Sequence, residues 1–110
     1  MAKFAFFGSY SPEAWARMID NPKDRRDAVG KLIKSAGGTM ESFYLMLGAD
    51  DFIIIADFPD AVSAAAASVA TASSGAVRNS RTIELIEWSA APTLLAKAKT
   101  YRGEYRPPGS

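Results

Sequence analysis

Residues 47–60, "LGADDFIIIADFPD", decide the fold. An acid-rich turn, Gly48-Ala49-Asp50-Asp51, runs at once into the apolar stretch Phe52–Phe58, and Pro59-Asp60 closes it. A short run of isoleucine and phenylalanine between two turn signals predicts a β-strand. Gly48 supplies backbone freedom for the turn. Asp50 or Asp51 can accept backbone N–H bonds there, and Asp60 meets the positive end of a helix that starts after Pro59. With Asp57 these acids raise the question of a bound divalent cation. Their spacing fits no calcium loop, which needs ligands at positions 1, 3 and 5, a Gly at 6 and a Glu at 12. Turn and cap chemistry is the leading account of the four, with ligand contact and a hard cation as the alternatives.

The flanking segments extend the pattern in both directions. Before the turn, "TMESFYLMLG" (39–48) alternates: Met40, Ser42, Tyr44 and Met46 against Thr39, Glu41, Phe43, Leu45 and Leu47. It reads as a strand hairpinned to Phe52–Phe58, apolar on both sides beyond Glu41. After it, "DAVSAAAASVATASSG" (60–75) is a helix of small residues ending at Gly75, and "RTIELIEWS" (81–89) alternates as a fourth strand. At the other end, "KFAFFGSY" (3–10) is a first strand. Ser11-Pro12-Glu13 follows as an N-cap, a proline at the first helical position and an acid in the first turn. Trp15, Met18 and Ile19 continue that helix. Asn21 can cap a second segment with Pro22 at its first position, carrying the apolar stripe Val29, Leu32, Ile33 and Ala36 to Gly37-Gly38. Pro92 opens a last helix, and "YRGEYRPPGS" (101–110) reads as a loose or partner-dependent tail.

The order β-α-β-β-α-β is the split βαβ, or ferredoxin-like, arrangement. It places residues 1–95 in one α+β domain with a four-stranded antiparallel sheet and both main helices on one face. Residues 96–110 hold the end of a C-terminal helix and the tail. The other sheet face stays bare within one chain, while strands two and three are apolar on both sides. A second copy packed sheet against sheet would cover them, so the chain is expected to form a homodimer or a higher oligomer.

Composition narrows the chemistry. Of 110 residues, 48% are hydrophobic and 23% charged, and the net charge is +1. That balance gives no electrostatic reason to expect nucleic acid or an anionic membrane as partner. No apolar run reaches the about 18 residues of a membrane span, and Phe4–Phe7 is too short for a secretory core, so a cytoplasmic protein is expected. There is no cysteine and no histidine. Disulfides, thiolate catalysis, cysteine-held clusters and the usual neutral-pH base are thereby excluded. Any acid–base group would be a perturbed carboxylate, lysine or tyrosine. No cofactor fingerprint or nucleophile–base pair occurs, and neither a cofactor nor a metal is expected.

Residues 18–67, "MIDNPKDRRDAVGKLIKSAGGTMESFYLMLGADDFIIIADFPDAVSAAAA", with "GAVRNSRTIELIEWS" (75–89), resemble the GYD-domain family. The namesake Gly-Tyr-Asp stands here as Gly48-Ala49-Asp50, without the tyrosine. The resemblance spans about residues 3–95. It implies a ferredoxin-like protomer related to the dimeric α+β barrels and a sheet-to-sheet dimer, and it implies no particular reaction.

Four residues are candidates for ligand contact. Tyr44 and Tyr10 could point a phenol into a pocket between helix and sheet, although a buried tyrosine in an ordinary core needs only one hydroxyl partner. Arg81, with Arg78 nearby, could bind a carboxylate or phosphate, or serve as surface charge. Asp50 would be the acid of the set. Trp15, Trp88, Phe4, Phe6 and Phe43 could line an aromatic cavity, or fill the space left by the alanines of residues 60–75. The leading expectation is a homo-oligomeric protein that assembles or binds a small apolar molecule without catalysis. The alternative is a cofactor-independent monooxygenase or isomerase acting on an aromatic or polyketide-like compound, which rests on fold-level analogy.

Overall fold

In the computed structural model, which describes residues 1–110, the central pair of strands is β1 (Ala2–Tyr10) and β3 (Phe52–Phe58). They run antiparallel, with Phe4 opposite Ala56 and Ala5 opposite Ile55. Strand β2 (Thr39–Leu45) lies outside β3 and β4 (Val77–Leu85) outside β1, giving the order β2-β3-β1-β4, antiparallel throughout. Helices α1 (Pro12–Asp20), α2 (Arg26–Ser35) and α3 (Ala61–Ser73) complete the expected ferredoxin-like α+β domain, and α4 (Ala91–Arg102) follows a single 3-10 turn at Trp88–Ala90.

Strand β3 sets the two sides of the sheet. Phe52, Ile54, Ala56 and Phe58 are buried, whereas Ile53, Ile55 and Asp57 between them are only partly covered. The buried set joins Phe4, Tyr10 and Val77 from the sheet, Ala14 and Ile33 from α1 and α2, and Ala64 and Ala67 from α3. Small side chains let α3 lie close to the sheet, and aromatic rings fill the space. Phe58 meets Phe4 edge-on at 6.2 Å and Phe6 at 5.5 Å between centroids.

The caps follow the sequence in two helices and depart from it in one. Ser11 Oγ accepts the Ala14 amide at 3.1 Å, and Asp60 Oδ1 accepts the Ser63 amide at 2.7 Å. Asn21 and Pro22 do not start α2. The chain stays non-helical through Lys23, and the Asp24 carboxylate instead accepts the Arg26 amide at 3.0 Å, an Asx-type bond two residues on. The Arg26 side chain also binds that carboxylate and holds Asp24 down to about 2. The Ser63 amide and hydroxyl keep Asp60 below its ordinary value near 3.8.

Both carboxyls are depressed on folding, so their contribution is complete above about pH 4 and is lost as pH falls through their folded values. Thermal melts are expected to be flat from pH 7 to 5 and to drop between about pH 4 and 2. Asp60→Asn, which keeps the capping oxygen without the charge, is expected to shallow that drop. An acid limb unchanged by this substitution would remove the cap from the account.

Two one-residue bulges alter the faces that alternation predicts. In β2, Met40 pairs with Ala56 but Ser42 pairs with Ile55, leaving Glu41 extra. Met40 and Phe43 therefore share the helix side, while Ser42 and Tyr44 turn to the open side. In β4 the register slips between Arg78 and Arg81, and Asn79 takes the extra residue at φ 54°, a conformation asparagine tolerates. Strand β4 consequently starts at Val77, paired with Tyr10, and ends at Leu85, paired with Lys3, rather than spanning residues 81–89. Beyond Leu85, β1 has little strand left to pair with. Ile86 and Trp88 leave the sheet and are exposed.

Close approach accounts for Gly38. A Cβ there would lie 2.4 Å from the Asp57 carbonyl oxygen and 3.0 Å from Ile33 Cγ2. Because the nearer atom is backbone, Gly38→Ala must displace the α2–β2 link from β3, at about 1–3 kcal/mol. A urea midpoint unchanged by this substitution would contradict the placement of the link.

Candidate functional site

Between the sheet and helices α2 and α3 lies a cavity of about 110 Å³. Its floor is Phe6, Phe43, Phe52, Ile54 and Phe58; its roof is Val29, Leu32 and Ile33 of α2 with Ala67, Ser68 and Thr71 of α3. The space exists because the roof residues from α3 are short. At Gly8 the Phe52 ring and Val77 close over bare backbone, so a Cβ would meet them at 2.7 and 2.8 Å. That contact holds the Phe52 ring against the strand instead of in the void.

Tyr10 and Arg25 add polar groups to the lining. Tyr10, whose ring meets Phe52 and Trp15 at 5.2 Å, lines the cavity beside Arg25. Burial raises the Tyr10 phenol, opposed by the nearby Arg25 charge and reinforced slightly by Asp51. The phenol is thus a hydrogen-bond donor at neutral pH and no base.

The sequence candidates separate. Tyr10 and Arg81 both border the cavity. The Arg81 guanidinium lies over the Phe7 ring, 4.6 Å from its centroid, and pairs with Asp50, so these opposite charges satisfy each other on the open side of the sheet. Tyr44 does not enter the helix–sheet space: the Glu41 bulge puts it opposite Ile53 on the open face, 63% exposed. Of the aromatic set, Phe6 and Phe43 line the cavity, Phe4 is core, Trp15 packs on Tyr10, and Trp88 is 85% exposed.

The acids of the turn are dispersed among partners. Asp50 binds Arg81, Asp51 accepts the Tyr10 amide at 2.9 Å, Asp57 pairs with Lys3 at 3.2 Å, and Asp60 caps α3. No three acidic side chains come together in a group able to hold a metal ion.

Arg25 is the residue that sequence reasoning missed. Asp24 stands beside two arginines, and Arg26 takes it through both guanidinium and amide. Arg25 is left without an ion pair at the cavity mouth. The sequence offers no clear signal for this, because the doublet is flanked by two acids, Asp24 and Asp27, and it is Lys31 that takes Asp27.

On the far side of the sheet, Phe7, Ile53, Ile55, Tyr44, Ile83 and Leu85 form a partly exposed apolar centre around the buried Ala5. Lys3, Glu41 and Asp57 border one end, with Lys3 Nζ donating to Glu41 Oε1 at 2.9 Å; Arg81 and Asp50 border the other. Helix α4 buries none of its residues. The Cα radius of gyration is 17.9 Å, against about 13 Å for a compact chain of this size, because α4 stands away from the body. No helix is long and apolar enough to cross a membrane.

Compared with known families, residues 4–95 match the model of the GYD domain. No curated protein matches the chain.

Proposed function

This chain belongs to the GYD domain family, and from that premise we propose that it is a homodimeric small-molecule-binding protein without catalysis of its own. The cavity carries the reading. Thirteen of its 18 lining residues are hydrophobic and a few are polar, Arg25 and Arg81 among them, the composition of a ligand site rather than of a packing defect. An engineered apolar cavity of about 150 Å³ admits benzene, so about one ring is the size of occupant expected here. Its polar groups favour binding over reaction. Tyr10 holds its proton, and Arg81, at the cavity's border, is neutralised by Asp50.

Self-association rests on the open sheet face. An apolar centre between charged ends has the layout of a protein interface, and a two-fold pairing of such faces covers it on both copies.

Native mass spectrometry of the protein from its own host tests both halves. The expected species is twice the 11.8 kDa chain mass with a small molecule released on denaturation. A monomer would end the assembly half. A dimer whose cavity residues give no chemical-shift response to ring compounds would end the binding half.

A further inference from the structure

Next to the apolar cavity lies a second recess of about 240 Å³, and the two share Tyr10 and Arg25. Its walls come from the end of α1, the α1–α2 link and the start of β4. Arg17, Lys23 and Arg25 line it together with Asn21, and no carboxylate does. None of the three cations is in an ion pair: Asp24 is engaged by Arg26, Asp27 by Lys31 and Asp51 by the Tyr10 amide, while Glu13 and Asp20, each one turn from Arg17 on α1, make no ion pair with it. Three cations around one recess repel each other, and an anion relieves that repulsion.

We propose that the occupant of the cavity is a small organic anion, an apolar body of about one ring bearing a carboxylate. The ring lies among Phe43, Phe52, Val29 and Leu32. The carboxylate emerges at Arg25, whose planar fork matches it with two parallel N–H bonds, and Arg17 and Lys23 add charge from the recess. Tyr10, a protonated phenol at the junction, donates to the same group. This rests on the cavity being a binding site, and adds the charge and class of what it holds.

Benzoate and benzamide separate the two claims, being alike in ring and size and different in charge. Each is titrated into the full-length protein and followed by amide and tyrosine chemical shifts. Benzoate is expected to bind at least about tenfold more tightly than benzamide, to shift Phe43, Tyr10 and Arg25, and to weaken with added salt. Arg25→Gln is expected to bring benzoate down to the benzamide level, and Arg25→Lys to recover part of the loss. Equal binding of both compounds, or a benzoate preference untouched by Arg25→Gln, would overturn the anion assignment while leaving the cavity a binding site. Shifts from benzoate confined to surface lysines, with none at Phe43, would also overturn it. Binding of neither compound would overturn the cavity reading and the anion with it.

Discussion

Ile55→Glu is expected to turn the proposed dimer into a folded monomer. Ile55 stands in a central strand, opposite Ala5 on one side and Ser42 on the other, with its side chain on the open face. Phe7, Ile53 and Ile83 surround it there. A carboxylate at the middle of a sheet-to-sheet contact would lose its water without gaining a partner, and two-fold pairing would bring two such charges close together. The Lys3 and Arg81 charges at the ends of the face are already taken by Glu41, Asp57 and Asp50. A penalty of about 3 kcal/mol or more corresponds to about a hundredfold or more in Kd. Sedimentation should then report a single chain at concentrations where the parent is a dimer. Circular dichroism should remain unchanged, because the helix side of the sheet is untouched. A stable dimer of the folded variant would move the interface off this face, and the protruding α4, with its exposed Leu95 and Tyr101, would become the alternative.

Strand β3 was the most legible part of the molecule. Its bounds, Phe52–Phe58, could be read from residues 47–60 because turn chemistry stands on both sides of a continuous apolar run. Ser11 and Asp60 were legible as caps for a similar local reason, each needing only an amide three residues on. The faces of β2 were not legible. Simple alternation groups Tyr44 with Met40, and one extra residue at Glu41 separates them. A bulge is settled by what the neighbouring strand requires, here Ile54 and Ala56 turned to the core, and no local pattern of polar and apolar residues records it. The bounds of β4 failed for the same reason, since the slip at Asn79 lets Val77 reach the core four residues before the alternation begins.

The candidate site divides along the same line. Tyr10 could be found as an aromatic at a strand end, but its value depends on Arg25, which is left without an ion pair because Arg26 takes Asp24 and Lys31 takes Asp27. Which of two adjacent arginines an aspartate selects is a matter of backbone angle. The cavity depends on how far α2 stands from α3, a distance set by side chains more than 30 positions apart in the chain, such as Val29 and Ala67. Sequence patterns report what a residue prefers to face. They do not report the space left over.

Phe58→Ala is expected to cause the largest loss of stability, about 3–5 kcal/mol. Phe58 is the largest side chain with no exposure at all, and its ring is held by Phe4 and Phe6. Truncation forfeits the transfer free energy of the ring and leaves a void that the sheet cannot close, because Phe4 and Phe6 are fixed on the neighbouring strand. Against the about 5–15 kcal/mol of a typical domain, that is a large share of the total. The urea midpoint should fall with little change in slope, since the surface exposed on unfolding is nearly the same. Measurements need matched protein concentrations, because dissociation of a dimer contributes to the unfolding it reports. Phe58 also borders the cavity, so the new void joins the existing one. An apolar ring compound should therefore raise the melting temperature of the variant more than that of the parent, by occupying space that water fills poorly. A loss below about 1 kcal/mol would mean that α2 and α3 collapse onto the gap, and helices free to collapse would not hold open the smaller cavity beside it.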